Sequence, residues 1–94
     1  MRDKNAFGGN KFHRHKVQDG KIILWEIWSE KGLLEAILTM TDGVPNGPSK
    51  RYKDGFLLFE GNLKDGKEDG LWKFFNEDGT LKDTKTYKDG VLLK

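Results

Sequence analysis

Short runs of apolar and aromatic residues alternate with polar, glycine-containing turns along almost the whole chain. Eight of the 12 glycines recur every 11 to 13 residues, at positions 9, 20, 32, 43, 55, 66, 79 and 90. Regular punctuation at this interval is typical of short strands joined by turns. Five of the runs between the glycines contain no proline and many β-branched or aromatic residues. They predict strands over residues 22–29, 33–41, 56–64, 71–76 and 80–88.

The dipeptides that end these runs are suited to tight hairpins. Asp-Gly and Asn-Gly readily take the positive φ values that two-residue hairpin turns require. The sequence contains Asn46-Gly47, and seven further glycines follow an aspartate: Asp19, Asp42, Asp54, Asp65, Asp69, Asp78 and Asp89. Because hairpins place sequential strands side by side, we predict an all-β antiparallel meander, a single elongated and twisted sheet.

The chain also repeats itself. Residues 24–43 align without a gap on residues 71–90, with 8 of 20 positions identical, and residues 55–66 match residues 79–90 after one deletion near Lys53. We therefore predict one domain over 1–94, about three and a half hairpin units long. Its parts are a partial unit at 9–20, units at about 21–43, 44–66 and 67–90, and a partial unit at 91–94.

One segment suits a helix as well as a strand when it is taken alone. It covers residues 33–38, with the sequence Leu-Leu-Glu-Ala-Ile-Leu. Its counterpart at 80–86 contains poor helix formers, and repeated units should share one structure, so the strand is the favoured interpretation.

Charge is abundant but nearly balanced. With 17 basic and 15 acidic side chains the net charge is +2, which creates no strong field toward nucleic acid or an anionic membrane. Residues 1–20 are locally cationic, with five basic and two acidic side chains and two histidines. Together with exposed aromatic rings, this segment keeps nucleic-acid or membrane-surface binding as the alternative function.

The sequence leaves the compartment open. There is no cysteine for a disulfide or thiolate site, which fits a reducing compartment without requiring one. Because no apolar run approaches 18 residues and no signal-type segment follows Met1, we expect the chain as given to be soluble and not self-targeting. A trimmed piece of an exported protein would read the same way.

The third unit resembles the MORN repeat, particularly its bacterial variant. The matching residues are Gly70-Leu71-Trp72-Lys73-Phe74-Phe75, Asp78-Gly79, Leu81, Tyr87 and Lys88-Asp89-Gly90. The resemblance covers about residues 20–94 and implies an elongated hairpin-repeat sheet. It also implies a role in protein interaction, since bacterial relatives include antitoxins and exported or scaffold proteins.

The other units depart from this pattern. Ile23 stands where the third unit has Gly70, and Pro48-Ser49 stands where it has Leu71-Trp72. We therefore expect the middle unit to be distorted around residues 44–49.

Alternation along the strands divides the aromatic rings between two faces. Trp25 and Ile27 should lie opposite Leu24, Glu26 and Trp28, and Trp72 and Phe74 should lie opposite Leu71, Lys73 and Phe75. A single sheet cannot bury both faces, so some rings should be exposed as partner-binding residues. The candidates are Trp25, Trp28, Tyr52, Trp72, Phe74, Phe75 and Tyr87. The simpler alternative is that these rings pack only on neighbouring strands.

Few residues suggest chemistry. His13 and His15 share a strand face as two metal ligands could, but a zinc site needs a third ligand that the sequence does not locate. The segment 65–70 resembles the start of a calcium loop, yet Lys67 occupies a ligand position and Asn76 replaces the closing glutamate. The two serines are not in a nucleophile-elbow context. We predict no enzyme activity, no cofactor and no metal.

We predict a non-catalytic protein-interaction module, with antitoxin-like or immunity-like neutralisation as one concrete version. Rigid strands would present aromatic and charged side chains in a fixed array to an unidentified protein partner. Pairing through an exposed edge strand, which would form a homodimer or add a partner's strand, is a second mechanism.

Overall fold

The computed structural model describes residues 11–93, and these form one eight-stranded antiparallel sheet. Its strands are β1 (Phe12–Gln18), β2 (Lys21–Trp28), β3 (Leu34–Thr41), β4 (Val44–Lys53), β5 (Phe56–Lys64), β6 (Lys67–Phe75), β7 (Leu81–Lys88) and β8 (Val91–Leu92). Each strand pairs with its neighbour in sequence, so the all-β meander is confirmed. The helical alternative for residues 33–38 is wrong, because β3 covers most of that segment. β1, β4 and β8 were not among the strands predicted from the apolar runs, although His13 and His15 were expected to lie on a strand, as they do in β1.

The same two irregularities in strand pairing recur along the sheet. One set of register shifts falls at Ile27/Trp28, Arg51/Tyr52 and Phe74/Phe75. The other set falls at Lys16/Val17, Leu38/Met40 and Glu60/Asn62. Bulges bend a strand and increase its twist, so their recurrence gives successive units a common backbone shape. The sheet measures 47 × 36 × 22 Å, and its twist accounts for a thickness well above that of a flat layer.

Five of the predicted tight turns are confirmed. Asp19, Asp42, Asp54, Asp65 and Asp89 have φ between 50° and 53°, and each precedes a glycine that also has positive φ. The turns expected at Asn46-Gly47 and Asp69-Gly70 are wrong, because these dipeptides lie inside β4 and β6. Gly47 (φ 114°) and Gly70 (φ 82°) instead supply the positive φ that the irregular strand pairing requires at these positions. The irregular pairing at residues 45–49 has an equivalent at residues 69–73, so it is not a distortion special to the middle unit.

In the first and third units, a longer turn joins the two strands of the unit. Ser29 N–H donates to Leu33 O at 2.8 Å, and Asn76 N–H donates to Thr80 O at 2.8 Å. In the third unit the hydroxyl and backbone N–H of Thr80 donate to Asp78, which lowers the pKa of that carboxyl. The middle unit has only Asp54-Gly55 between β4 and β5, which is the deletion seen near Lys53 in the alignment.

Substitution of Asp54 tests the turn geometry. Its φ of 50° lies in a region that β-branched residues avoid, so we expect Asp54→Val to lower the free energy of unfolding by about 1–2 kcal/mol. Asp54→Asn should leave it nearly unchanged, because asparagine tolerates this conformation. Urea unfolding of the three proteins measures the difference. Equal stability of the Val and Asn variants would contradict a turn held by local conformation.

Residues 11–93 include no helix with the length and hydropathy needed to cross a bilayer. The predicted partial unit at 9–20 and the cationic segment at 1–20 both begin outside the described residues.

Candidate functional site

Strand register divides the sheet into two faces of different character. Directly paired residues in an antiparallel sheet point to the same side. One row of such pairs crosses seven strands in the order His13, Ile27, Ala36, Arg51, Phe59, Phe74 and Asp83. The adjacent row, on the opposite side, runs Arg14, Glu26, Ile37, Lys50, Glu60, Lys73 and Thr84. We call the first side the aromatic face and the second the charged face.

The residues with the least exposure all belong to the aromatic face. Trp72 and Ala36 are each 5% exposed, and Met40 and Ser49 are 8% exposed. No described side chain is completely buried, because the sheet is a single layer. The aromatic face is therefore the core of the molecule and, at the same time, part of its surface.

Trp72 forms the floor of this face, and a glycine makes room for it. A Cβ atom at Gly61 would lie only 2.0 Å from the indole of Trp72. The indole therefore lies directly against the backbone of β5. Its Nε1 is buried and has no hydrogen-bond acceptor among the described residues.

Four other side chains surround this floor. The Phe59 ring lies 6.0 Å from the Trp72 ring and 5.5 Å from the Phe74 ring, measured between centroids. Tyr87 meets Trp72 edge-on at 6.4 Å. Lys85 Nζ lies 5.3 Å from the centroid of Phe74, within the range of a cation–π contact. These half-buried side chains make a cluster that is apolar at its centre.

Charge at the margin of the cluster is mostly positive. Arg51 pairs with Phe59 across β4 and β5, and Asp83 pairs with Phe74 across β6 and β7. Both of these charged residues are exposed, whereas Lys85 is half-buried. Two cations and one carboxylate therefore border the rings. This arrangement suits a ligand surface that is apolar with some acidic groups.

The candidate rings that remain on the charged side occupy one repeated position. Trp28, Tyr52 and Phe75 each lie immediately after a register shift of their unit. Each is paired with a leucine on the following strand: Leu34, Leu57 and Leu81 respectively. An aromatic ring that recurs at the same position of every unit is explained by the fold that the units share.

The two histidines flank Trp25 at the β1 end of the aromatic face. Their ring centroids lie 5.7 Å (His13) and 5.4 Å (His15) from the indole. Trp25 Nε1 donates to His13 Nδ1 at 3.0 Å, so that nitrogen is engaged as an acceptor. Within residues 11–93, no group of three or more His, Cys, Asp or Glu side chains is arranged to hold a metal ion. The pair therefore lacks a third ligand in this part of the chain.

The structure divides the seven predicted rings into two groups. It brings Trp72, Phe74 and Tyr87 together, places Trp25 further along the same face, and sets Trp28, Tyr52 and Phe75 apart from them. The residues that complete the cluster and were not predicted are Arg51, Phe59, Gly61 and Lys85. Phe59 and Gly61 were visible in the middle copy, but no pattern within one strand reveals which residues lie opposite on the next.

Comparisons with protein-family models, with curated proteins and with solved structures find no match for this chain.

Proposed function

We propose that this chain is a non-catalytic protein-interaction module of the MORN type whose partner docks on the aromatic face around Phe59 and Phe74. The observation that carries the proposal is a one-layer sheet whose aromatic face carries a cluster of half-buried rings. The described part of the chain supplies no second layer over that face. Half-buried aromatic rings gain further burial when a partner covers them, which favours binding.

Comparison of the units supports the choice of this face. Positions that serve only the common fold should hold similar residues in each unit, as Trp28, Tyr52 and Phe75 do. On the aromatic face the units differ: Phe74 corresponds to Ile27 and Arg51. A face whose residues differ among units that share one backbone shape can be specific for one partner.

The ring geometry favours a protein over single-stranded nucleic acid. Bases need an open ring face on which to stack. Lys85 already lies over the Phe74 ring, and Phe59 packs on Phe74 at an interplanar angle of 47°. An apolar side chain from a protein can fill the space between tilted rings, whereas a flat base has no free platform there.

Binding by this face would be rigid presentation. The strands are hydrogen-bonded on both sides through β2 to β6, so the side chains are held in place before the partner arrives. Little conformational entropy is then lost on association. Neutralisation of a toxin or effector by such a surface is the concrete version that the MORN resemblance suggests.

A crosslinked pull-down from lysate of the source organism tests the proposal, with mass spectrometry for identification and a nuclease-treated control. Two charge-reversal variants make it specific to the face. Arg51→Glu changes the margin of the aromatic cluster, and Lys50→Glu makes the same change one residue away on the charged face. We expect Arg51→Glu to lose the captured protein and Lys50→Glu to retain it.

A partner that is lost equally with both variants would show that the aromatic face is not the docking surface. Capture that disappears after nuclease treatment would replace the proposal with nucleic-acid binding. Recovery of nothing specific by the native protein would also contradict it.

A further inference from the structure

The charged face carries a row in which basic and acidic side chains face each other on neighbouring strands, with the apolar Ile37 interrupting the row on β3. From the β1 edge it begins with Arg14, Glu26 and Ile37, and it continues through Lys50, Glu60 and Lys73. Opposite charges that face each other across strands stabilise a sheet, whereas like charges destabilise it. The row begins on β1 with a cation, so an acidic side chain would continue it on the outer side.

β1 is suited to take another strand. All seven of its residues are exposed, and among residues 11–93 it pairs with β2 alone. An edge strand presents unpaired N–H and C=O groups along its outer side, and these can pair with another extended chain. Both faces of β1 are cationic or titratable, since residues 13–16 read His-Arg-His-Lys.

The cations of β1 are weakly engaged by the rest of the sheet. The Arg14 side chain is 73% exposed, and its Nε lies 3.9 Å from Glu26 Oε1, at the limit of an ion pair. Lys16, on the same face, pairs across the strands with Leu24 and not with an acid. Two positive charges on one face of the edge are thus available to a ligand.

We propose that the outer edge of β1 binds an extended segment of a partner protein that alternates acidic and apolar residues. Its acidic side chains would face Arg14 and Lys16 on the charged face. Its apolar side chains would fall on the other face, beside His13, His15 and Trp25. The proposal uses different residues from the docking site above and does not depend on it.

The same charges disfavour a second copy of this chain. Pairing β1 with another β1 across its centre would set Arg14, Lys16 and the histidines against one another. The opposite end of the sheet is no better a partner, because β8 has only two residues and β7 beside it carries Lys82, Lys85 and Lys88 against a single acid, Asp83. An acidic segment from a different protein is therefore the better fit than the homodimer.

The test uses the full chain and a fluorescein-labelled peptide of alternating glutamate and valine, followed by fluorescence anisotropy at low salt. Two surface pairs reverse two charges each: Arg14→Glu/Lys16→Glu on β1, and Lys82→Glu/Lys88→Glu on β7. The first should weaken peptide binding about tenfold, because two cross-strand attractions become repulsions. The second should leave it within about twofold, although the change in net charge is identical.

Two further readouts establish how the peptide binds. A lysine–valine peptide should bind the Arg14→Glu/Lys16→Glu variant in preference to the native protein. Bound glutamate–valine peptide should slow hydrogen exchange of the β1 amides, as strand addition requires.

The proposal fails if the glutamate–valine peptide does not bind, if both double variants weaken it equally, or if β1 amides gain no protection. Tighter binding of a single-stranded oligothymidylate through Arg14 and Lys16 would also overturn it, in favour of nucleic acid. None of these results bears on Arg51 or Phe74, so failure here is distinguishable from failure of the proposed docking site.

Discussion

Replacing Gly61 with alanine is expected to lower the free energy of unfolding by about 3 kcal/mol, the upper end of the cost of overpacking. The new methyl group would lie 2.0 Å from the Trp72 ring, a separation that no pair of non-bonded carbon atoms tolerates. The ring cannot move aside freely, because Phe59 and Tyr87 pack around it. Either the indole leaves its buried position or β5 moves away from β6.

Such a loss is large for a chain of this size. A 94-residue domain has a free energy of unfolding of about 5–14 kcal/mol, so one methyl group would remove a substantial share. Backbone strain does not contribute, because Gly61 is absent from the positive-φ positions that the other described glycines occupy. Its role is to make room for Trp72.

A double-mutant cycle in urea separates this cause from others. The cost of Gly61→Ala should fall sharply in a Trp72→Leu background, since the smaller side chain leaves space for the methyl group. Gly55→Ala is a useful comparison, because nothing lies within 4 Å of its added Cβ and only its φ of +88° is strained. If Gly61→Ala costs as much with Leu at position 72 as with Trp, contact with the ring is not the reason for glycine.

Replacing Phe74 with alanine is expected to weaken binding of the partner at least about 30-fold, which corresponds to a hot-spot loss of about 2 kcal/mol. Phe74 joins Phe59 and Lys85 in the cluster, and all three lose a contact when its ring is removed. A central aromatic ring in a partly desolvated patch is the kind of residue on which interface energy concentrates.

Phe75 is the matched control for this prediction. It has the same side chain in the same strand, is also half-buried, and lies on the other side of the sheet. Phe75→Ala should therefore leave affinity within about threefold, although both variants lose stability through lost packing. Affinity is measured by calorimetry on the partner from the pull-down, with thermal unfolding to confirm that each variant is folded. Equal losses of affinity would show that Phe74 acts only through stability.

Most of the fold was predictable because its signals are local. Asp-Gly pairs adopt their turn conformation without help from distant residues, and the interval between them sets the strand length. The prediction was wrong at Asn46-Gly47 and Asp69-Gly70, where the same dipeptides occur in bulges within strands. β4 escaped prediction because its two prolines and the Asn46-Gly47 turn signal obscure a strand that its neighbours impose.

The candidate site was only partly predictable. Alternation correctly placed Trp25 with Ile27 and Trp72 with Phe74, since it concerns neighbours within one strand. It could not join Phe59 to Phe74, or Arg51 to Phe59, because those pairings depend on register between strands.

The sequence by itself determined that this chain forms a meander of repeated hairpins, because turn conformation and strand alternation are properties of short segments. Only the tertiary structure decided which rings share a face, why Gly61 must be small, and that Arg14 on the edge strand faces Glu26 in a row rich in opposite charges. The physical reason is that recurrent bulges shift the pairing of the strands, and a shift of one residue moves a side chain to the opposite face. Contacts between strands therefore decide on which face a side chain lies, and the sequence of one strand does not specify those contacts.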